Sequence, residues 1–444
     1  MSGLRANPGF RCDQGFVIIL VAVFMLFVVG AMAALSIDVV TFYTARSEAQ
    51  LAADAGALAG ARVLANSGAT SYSDGTMLTA AQALAAPVAT QVAMSNTVGG
   101  QTLPAGQIQV SFTNSSCPAS EGEPNNPCVT VQVTAHLPVF FARIWGSTQV
   151  TIAATATAEA FNPSGLANGA TTSVPIPIAP SCVKPWLLPN LDPTSSSNAA
   201  IFDEYSGQIK NPNLLGASLS STMRLHANCG SGACNAPAAW QYYVGDDATD
   251  FPPPDKALPA ASCGLTTNFQ LDIAGCVQNP IICGAPTASQ VHIQLNPDTT
   301  LDQYAGDAVN CLAHTSGGKG DTIASTSPPV PFEFLAGSDN PLVQAGTLPL
   351  GSATMVSDSL VTVPVFDSGS GAYAFPSNTV TVIGFLQLFL EPSGEAVVSG
   401  TGYEIDSTIV NMVGCGINSN LTQTAVPVYG NGATVVPVRL ISPP

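Results

Sequence analysis

The hydrophobic pattern of the chain begins with one long run that carries no charge. From Phe16 the sequence reads FVIILVAVFMLFVVGAMAAL. About 20 apolar residues at 1.5 Å each span the roughly 30 Å of a bilayer core. Arg5 and Arg11 precede the run, and no basic residue lies within it or directly after it. Because basic residues are enriched on the cytoplasmic side, we predict a cytoplasmic N-terminus (1–14) followed by a transmembrane helix (15–37).

The helical pattern continues beyond the apolar run, over residues 38–66. No Pro interrupts this extension, and its first Gly is Gly56. A cleaved signal peptide is the alternative, because Ala31-Met32-Ala33 fits an A-x-A cleavage site. The unbroken helical pattern through that site favours a retained anchor, with the rest of the chain outside the cytoplasm.

Small residues form a seam along one face of this extension. They alternate steps of four and three, which is a heptad spacing, and two glycines add a G-x-x-x-G motif. The seam residues are Ala45, Ala49, Ala52, Gly56, Ala59, Gly60 and Val63. Small side chains let another element approach closely, so the seam packs either on a partner helix or on the protein's own soluble part. Ala57 lies off the seam and is the comparison position for substitutions.

The rest of the pattern predicts an α+β fold. A single N-terminal transmembrane helix extends into a long helix, and a small helix-plus-antiparallel-sheet unit (67–161) follows. In this unit an Ala-rich helix is expected over 76–96. Alternating polar and apolar residues predict strands over 107–113, 129–135 and 148–160.

Residues 170–444 have the composition of a mainly antiparallel β domain. Short apolar runs bounded by Gly, Pro, Ser and Asn predict strands at 360–366, 379–390 and 434–441. The run at 379–390 is apolar enough to be a central strand. Between about 225 and 315, cysteines alternate with Pro- and Gly-rich turns, which indicates a disulfide-rich insertion.

Cysteine usage indicates an oxidising compartment beyond the membrane. Cys12 precedes the apolar run and is expected to stay free, whereas ten cysteines follow it. An even number outside the cytoplasm is typical of disulfide pairing, although sequence does not determine the connectivity. The nearer pairs suggested by spacing are Cys117–Cys128, Cys229–Cys234, Cys263–Cys276 and Cys283–Cys311. These leave Cys182 and Cys415 as the fifth expected pair, which would tie the start of the β domain to its end.

Composition and charge narrow the function classes. The chain has 444 residues, of which 28 are acidic and 11 basic, so its formal net charge is −17. Nucleic-acid binding is excluded, because neutralising phosphates needs clustered Lys and Arg. The sequence contains no H-E-x-x-H motif, nucleophile elbow or complete phosphate loop. We therefore predict no catalytic residue, cofactor, metal site or small-molecule substrate.

One acidic cluster leaves two interpretations open. Asp246, Asp247, Asp250 and Asp255 follow each other closely in a polar stretch. Several carboxylates in one loop can chelate calcium, but an acidic turn explains the same residues, and we favour the turn.

The N-terminal motifs resemble a known family. Asp38 follows the apolar run, and the stretch from Gln50 to Ala61 reads QLAADAGALAGA. A short aromatic segment, LPVFFARIWG, occupies 137–146 and precedes an Ala-rich strand. These features resemble TadG-like Flp pilus-assembly proteins over about 13–161, most specifically in the helix.

The resemblance implies a non-enzymatic, single-pass protein of the bacterial inner membrane. Its N-terminus would be cytoplasmic and its C-terminal domain periplasmic or extracellular. Its partners would be the membrane and other Tad/Flp assembly proteins, or further copies of itself, in pilus assembly or secretion. The alternative is an envelope or surface binding module whose Cys-rich insertion recognises a ligand.

Two motifs depart from the wider family. The stretch DSGSG at 367–371 places its serines at the wrong offsets for the D-x-S-x-S metal motif of a von Willebrand A domain, so we interpret it as a turn. Gly15 and Phe16 fit a prepilin cleavage site, but Leu20 stands where that site needs Glu. Processing into a pilin subunit is therefore not expected.

Overall fold

The computed structural model describes the chain in separate ranges. These are residues 13–72, 75–113, 126–141, 146, 148–164, 177–192, 199–218, 243–244, 263–275, 280–283, 290–292, 300–313, 320–325, 327–355, 357–367, 379–390, 398–399, 404–415, 425–428 and 432–441.

Five α-helices occur in these ranges, and the first is by far the longest. They are α1 Asp13–Asn66, α2 Gly75–Met94, α3 Asn268–Ala274, α4 Thr300–Leu312 and α5 Pro341–Gln344. The long N-terminal helix predicted from the apolar run and its extension is confirmed, because α1 is unbroken over 54 residues. The predicted Ala-rich helix is present as α2, which tolerates Pro87 in its interior.

The strands of the described ranges are mostly short. In chain order they are β1 Thr97–Val98, β2 Gln101–Thr102, β3 Ile108–Thr113, β4 Cys128–Pro138, β5 Gln149–Ala160, β6 Ile178–Pro180, β7 Trp186–Pro189, β8 Tyr243–Val244, β9 Gln290–His292, β10 Thr322–Ile323, β11 Phe334–Leu335, β12 Ala353–Thr354, β13 Leu360–Phe366, β14 Thr379–Leu390, β15 Val398–Ser399, β16 Glu404–Ile405, β17 Ser407–Gly414, β18 Val426–Val428 and β19 Val438–Ile441.

A four-stranded sheet with the order β19-β5-β4-β3 follows α2. Its strands β3, β4 and β5 confirm the three predicted from alternation, and β4 buries alternate residues along most of its length. The edge strand β19 comes from the C-terminal end of the chain and pairs antiparallel with β5, with Val438 opposite Ala160. The run predicted at 434–441 therefore forms a shorter strand than expected and completes this sheet.

The largest sheet has the order β17-β14-β13-β7-β8, with β9 also pairing with β14. β14 runs antiparallel to β13, β17 and β9, which confirms the apolar run at 379–390 as a central strand. Every residue of β13 and β17 is buried, so both faces of the sheet are covered. Two short pairings, β7 with β13 and β6 with β18, are parallel within this mainly antiparallel domain.

Two glycines facing each other in this sheet make room for an aromatic ring. Gly384 of β14 lies opposite Gly414 of β17. A Cβ placed on either glycine would lie 2.7 Å from the ring of Phe202, which is fully buried. No side chain larger than hydrogen fits at these two positions.

Contacts divide the chain into two compact units. The first contains the residues up to Gly56 together with Thr90–Gln109 and Val131–Thr155, and the second contains Ala57–Ala89, Val110–Thr130 and Ala156–Pro444. The last turns of α1 thus belong to the same unit as the large sheet.

The two disulfides between described cysteines correct the pairs suggested by spacing. They are Cys263–Cys311 and Cys283–Cys415, so the expected pairs Cys263–Cys276, Cys283–Cys311 and Cys182–Cys415 are wrong. Cys128 and Cys182 are also disulfide-bonded, and their partners are not among the described residues. The expected pairs Cys117–Cys128 and Cys229–Cys234 involve residues outside the described ranges.

The corrected pairing has a physical reason in the packing of the insertion. The sequence suggested turns that close short loops, but α3 and α4 pack on each other there and bring Cys263 beside Cys311. The next segment runs along β6, because the N–H of Cys283 donates to the carbonyl oxygen of Ile178 at 3.1 Å. This path leads Cys283 to Cys415, directly after β17.

Candidate functional site

The N-terminal half of α1 exposes its apolar side chains on all sides. None of its most apolar window is buried within the protein, and Leu26 is 74% exposed. The helix is long and apolar enough to cross a membrane. Among the described helices, α2 also has the length and hydropathy of a membrane span, but α2 is partly buried within the protein. Its packed side is a straight line of residues four apart: Met77, Ala81, Ala85, Ala89 and Ala93.

The small-residue seam of α1 lies against the protein's own chain. Ala45, Ala49, Ala52, Gly56, Gly60 and Val63 are buried, and Ala59 is half-buried. At Gly60 the fit is tight, because an added Cβ would lie 2.9 Å from Val129 of β4 and 3.2 Å from Ala89 of α2. This placement corresponds to packing on the protein's own soluble part. Ala57 is fully buried as well, so it does not serve as an exposed comparison position.

Asp38 joins α1 to the turn that follows β4. Its carboxylate accepts hydrogen bonds from the N–H of Phe140 at 3.3 Å and from the N–H of Phe141 at 3.0 Å. Asp38 is fully buried, so these donors compensate for part of the hydration that the carboxylate loses. The contact lies at the first fully buried residue of α1, directly after the long exposed apolar stretch.

Two further polar side chains fix α1 within the first unit. Glu48 accepts a hydrogen bond from the N–H of Gly99 at 2.6 Å. Gln50 donates to the carbonyl oxygen of Thr155 at 3.2 Å and to Asp54 at 2.8 Å. Glu48 and Gln50 thus bind α1 to the backbone of its own unit, and Gln50 is the first residue of the QLAADAGALAGA stretch.

The C-terminal end of α1 is held by two amide side chains of the large sheet. Gln387 of β14 and Asn411 of β17 are cross-strand neighbours, and Asn411 Nδ2 donates to Gln387 Oε1 at 3.0 Å. Asn411 Nδ2 also donates to the carbonyl oxygen of Ala65. Gln387 Nε2 donates to the carbonyl oxygen of Ala433 at 2.5 Å and to Asn66 Oδ1 at 3.4 Å. All the donor hydrogens of these two side chains are therefore used.

The turn after α1 extends the same polar network. The hydroxyl of Ser71 lies 2.7 Å from Asn411 Oδ1 and accepts the N–H of Met412 at 3.1 Å. Asn162 Nδ2 lies 3.1 Å from the carbonyl oxygens of both Thr70 and Met412. The network is buried, and its paired polar groups favour one arrangement of the chain, because other arrangements would leave them without partners.

A cavity of about 80 Å³ lies beside the end of α1. Asn66 lines it, and its Nδ2 atom is buried and has no hydrogen-bond partner among the described residues. The other lining residues are mostly apolar and include Val63, Leu84, Val88, Phe332, Phe334 and Met355. The volume is far below the roughly 300 Å³ at which ligand pockets begin, so the cavity is a packing defect and not a cofactor site.

Two buried charged side chains of the second unit, Glu159 and Lys184, are held by hydrogen bonds. Glu159 is fully buried, and it accepts hydrogen bonds from Asn126 Nδ2 and Arg439 Nε, both at 2.9 Å. Lys184 donates from Nζ to the carbonyl oxygens of Ile273 at 2.6 Å and Gly275 at 2.8 Å. These carbonyls end α3, where the helix dipole favours a cation.

Two groups near these elements carry shifted pKa values because of burial. Burial lowers the pKa of Arg62, near the end of α1, below its ordinary value. Burial also raises the pKa of Asp406, just before β17, above its ordinary value of 3.8. In both cases the environment disfavours the charged form.

Residues that could act in catalysis or bind a metal do not come together in the described part of the chain. His136 is exposed and its ring lies 3.0 Å from the hydroxyl of Thr151. No group of three or more His, Cys, Asp or Glu residues that could hold a metal ion occurs among the residues described. The acidic cluster at 246–255 and positions 368–371 lie outside those ranges.

The network residues were missed by the sequence analysis, although a signal was present. Gln387 and Asn411 are polar residues inside otherwise apolar strands, TVTVIGFLQLFL and STIVNMVG. A buried polar group needs a partner, so each of them marked a long-range contact.

Comparison with known proteins finds a family match for the N-terminal segment. Residues 15–63 match the family model described as "Putative Flp pilus-assembly TadE/G-like", which confirms the expected resemblance over this segment. No curated protein and no solved structure matches the chain. The match and the exposed apolar helix together fit a membrane-anchored protein.

Proposed function

We propose that this protein, whose residues 15–63 form a TadE/G-like module, is a non-enzymatic membrane-anchored component of a Flp/Tad-type pilus-assembly or secretion system. The observation that carries the proposal is the coincidence of that match with a helix whose apolar side chains are exposed all round. The anchor lies in the bacterial inner membrane with its N-terminus in the cytoplasm. The remaining chain acts in the periplasm or outside the cell.

Cysteine chemistry supports this topology. Six described cysteines beyond the membrane segment are disulfide-bonded. Disulfides persist in oxidising compartments and are rare in the cytoplasm. Both of the pairs identified join segments of the β domain, so we propose that this domain folds on the oxidising side of the membrane.

The end of the helix supports a role for the β domain in the same process. α1 is one continuous helix, and its last residues are hydrogen-bonded to β14 and β17 through Gln387 and Asn411. We propose that the β domain contacts assembly partners while the helix keeps it at the membrane.

Partner helices would use the face of α1 that the protein leaves exposed. The small seam is already filled by the chain itself, whereas Ser47 is exposed and Leu51 is 61% exposed. We therefore propose that helix–helix contacts with other Tad/Flp proteins, or with a second copy, involve the side of α1 that carries Ser47 and Leu51.

The proposal is tested by deleting the gene in its native host and counting surface pili by electron microscopy. Loss of pili or of the associated secretion, restored by the full chain but not by a chain lacking 15–37, is the expected result. A deletion strain with normal pili and secretion would contradict the proposal. If that strain instead lost adhesion to a surface, the alternative of an envelope binding module would be favoured.

The topology is tested separately by protease treatment of spheroplasts. The domain beyond α1 should be degraded while a membrane-embedded N-terminal fragment survives. A protected domain, or a mature protein that begins at Ala34, would contradict a retained anchor with an external β domain.

A further inference from the structure

A second membrane contact is indicated at the point where α1 leaves the bilayer. Along α1 the large apolar side chains from Phe16 to Ile37 are exposed except for the half-buried Val28, and the first fully buried residue is Asp38. At 1.5 Å per residue this exposed stretch is about 33 Å long, close to the hydrocarbon thickness of a bilayer. Asp38 therefore lies at the level of the lipid headgroups on the outer side.

The Asp38 carboxylate holds another part of the chain at this same level. It accepts the N–H of Phe140 at 3.3 Å and the N–H of Phe141 at 3.0 Å. Backbone hydrogen bonds fix the peptide and leave the side chains to point elsewhere. Val139 is buried, but Phe140 is 64% exposed and Phe141 is 36% exposed. Two aromatic rings are thus presented beside the helix at the level of its first fully buried residue.

The neighbouring surface identifies the bilayer as the partner of these rings. The exposed apolar surface of α1 continues past Asp38 through Val40 to Tyr43, which is 72% exposed. Aromatic residues are enriched at membrane–water interfaces, where an apolar ring is partly immersed and polar groups stay wet. The rings of Phe140 and Phe141 extend an apolar surface that the proposed anchor already places in lipid.

We infer that Phe140 and Phe141, positioned by Asp38, insert into the interfacial region of the bilayer that α1 crosses. This second contact fixes the depth of the helix and the height of the β4–β5 end of the sheet above the membrane. The inference rests on the proposed membrane anchoring, but it concerns a different segment of the chain and has a separate readout.

The test uses the full-length protein with Cys12→Ser, reconstituted in phosphatidylcholine vesicles. Single cysteines are introduced by Leu26→Cys, Phe140→Cys and Gln132→Cys and labelled with a polarity-sensitive fluorophore. Gln132 is the matched control, because it is exposed on β4, the strand that precedes Phe140, and lies about 26 Å before Phe140 at 3.3 Å per residue. Lipids that carry a quencher near the headgroup or deep in the acyl chain then report the depth of each label.

The expected pattern separates the three positions. The label at 26 loses emission with the deep quencher, the label at 140 loses emission with the headgroup quencher, and the label at 132 responds to neither. A label at 140 that behaves like that at 132, with the label at 26 quenched, would overturn the inference and leave the anchor intact. An unquenched label at 26 would overturn the anchoring itself and the inference with it.

The role of Asp38 has its own variant. Asp38→Ala removes both acceptors, so the label at 140 should lose its headgroup quenching while the label at 26 keeps its deep quenching. Asp38→Asn retains one acceptor oxygen and should give an intermediate loss. Unchanged quenching at 140 in Asp38→Ala would show that another contact positions the rings.

Discussion

The hydroxyl of Ser71 lies 2.7 Å from Oδ1 of Asn411, a residue 340 positions later in the chain. Ser71 belongs to the turn after α1, and Asn411 lies in the middle of β17. This contact, together with the hydrogen bond from Asn411 to Ala65, joins the end of the N-terminal helix to the β domain. Its geometry leads to the first prediction.

Replacing Asn411 with Ala should lower the free energy of unfolding by about 2–4 kcal/mol, because several buried polar groups lose their partner. Denaturant unfolding of the full-length protein in detergent measures the effect. Asn213→Ala is the control, since Asn213 is exposed, and it should change the stability by less than about 0.5 kcal/mol. Equal effects of the two substitutions would contradict a structural role for the network.

Replacing Ala52 with Leu should destabilise the first unit by about 1–3 kcal/mol, because the seam is already packed and the larger side chain has no space. Ala52 is fully buried, whereas Ser47 on the same helix is exposed. Ser47→Leu should leave the stability almost unchanged. Thermal unfolding followed by circular dichroism compares the stability of the two variants. A fully stable Ala52→Leu variant that fails to capture a partner would instead indicate that the seam packs on another protein.

Peptide mapping without reduction should recover Cys263 linked to Cys311 and Cys283 linked to Cys415. In the chain-entropy model, loops with separations of 48 and 132 residues correspond to stabilisation of about 4 and 5 kcal/mol. The double variant Cys283→Ser with Cys415→Ser should therefore lose slightly more stability than Cys263→Ser with Cys311→Ser. Recovery of a peptide linking Cys263 to Cys276 would refute the pairing. Under reducing conditions the parent protein loses the same bonds, so its stability should fall toward that of the variants.

Two aspartates should change the pH dependence of stability in opposite directions. The pKa of Asp203 is lowered below 3.8, first by the hydrogen bond from the N–H of Ser206. Burial raises it by a smaller amount. The Ser206 hydroxyl, Lys210 and the Tyr205 N–H lower it further. This stabilisation is present above 3.8 and is lost as the pH falls through the lowered pKa. Asp203→Asn should thus destabilise the protein near pH 7 and have little effect in strong acid.

For Asp406 the sign is reversed. Burial raises its pKa, so its contribution is favourable below 3.8 and is lost as the pH rises through the raised pKa. Asp406→Asn should stabilise the protein near pH 7 and make no difference below pH 3.8. Urea unfolding at a series of pH values measures both variants, and curves parallel to that of the parent protein would contradict both assignments.

Local features of the sequence determined the parts of this protein that depend on near neighbours. The apolar run and the absence of Pro predicted α1, because span length and helix continuity depend on consecutive residues. The strands Leu360–Phe366 and Thr379–Leu390 have the predicted bounds, since Gly, Pro and Ser at their ends interrupt the pattern. The TadE/G-like motif was recognisable for the same reason.

Only the tertiary structure decided which distant segments meet. Three contacts join positions that lie far apart in the chain: the pairing of β19 with β5, the bond between Cys283 and Cys415, and the contact of Asn411 with α1. Spacing carries no information about such contacts, because many pairings satisfy the same local pattern. The seam of α1 shows this limit most clearly: its small residues required a close neighbour, but whether that neighbour was another protein or the chain's own β4 and α2 depended on how the whole chain packs.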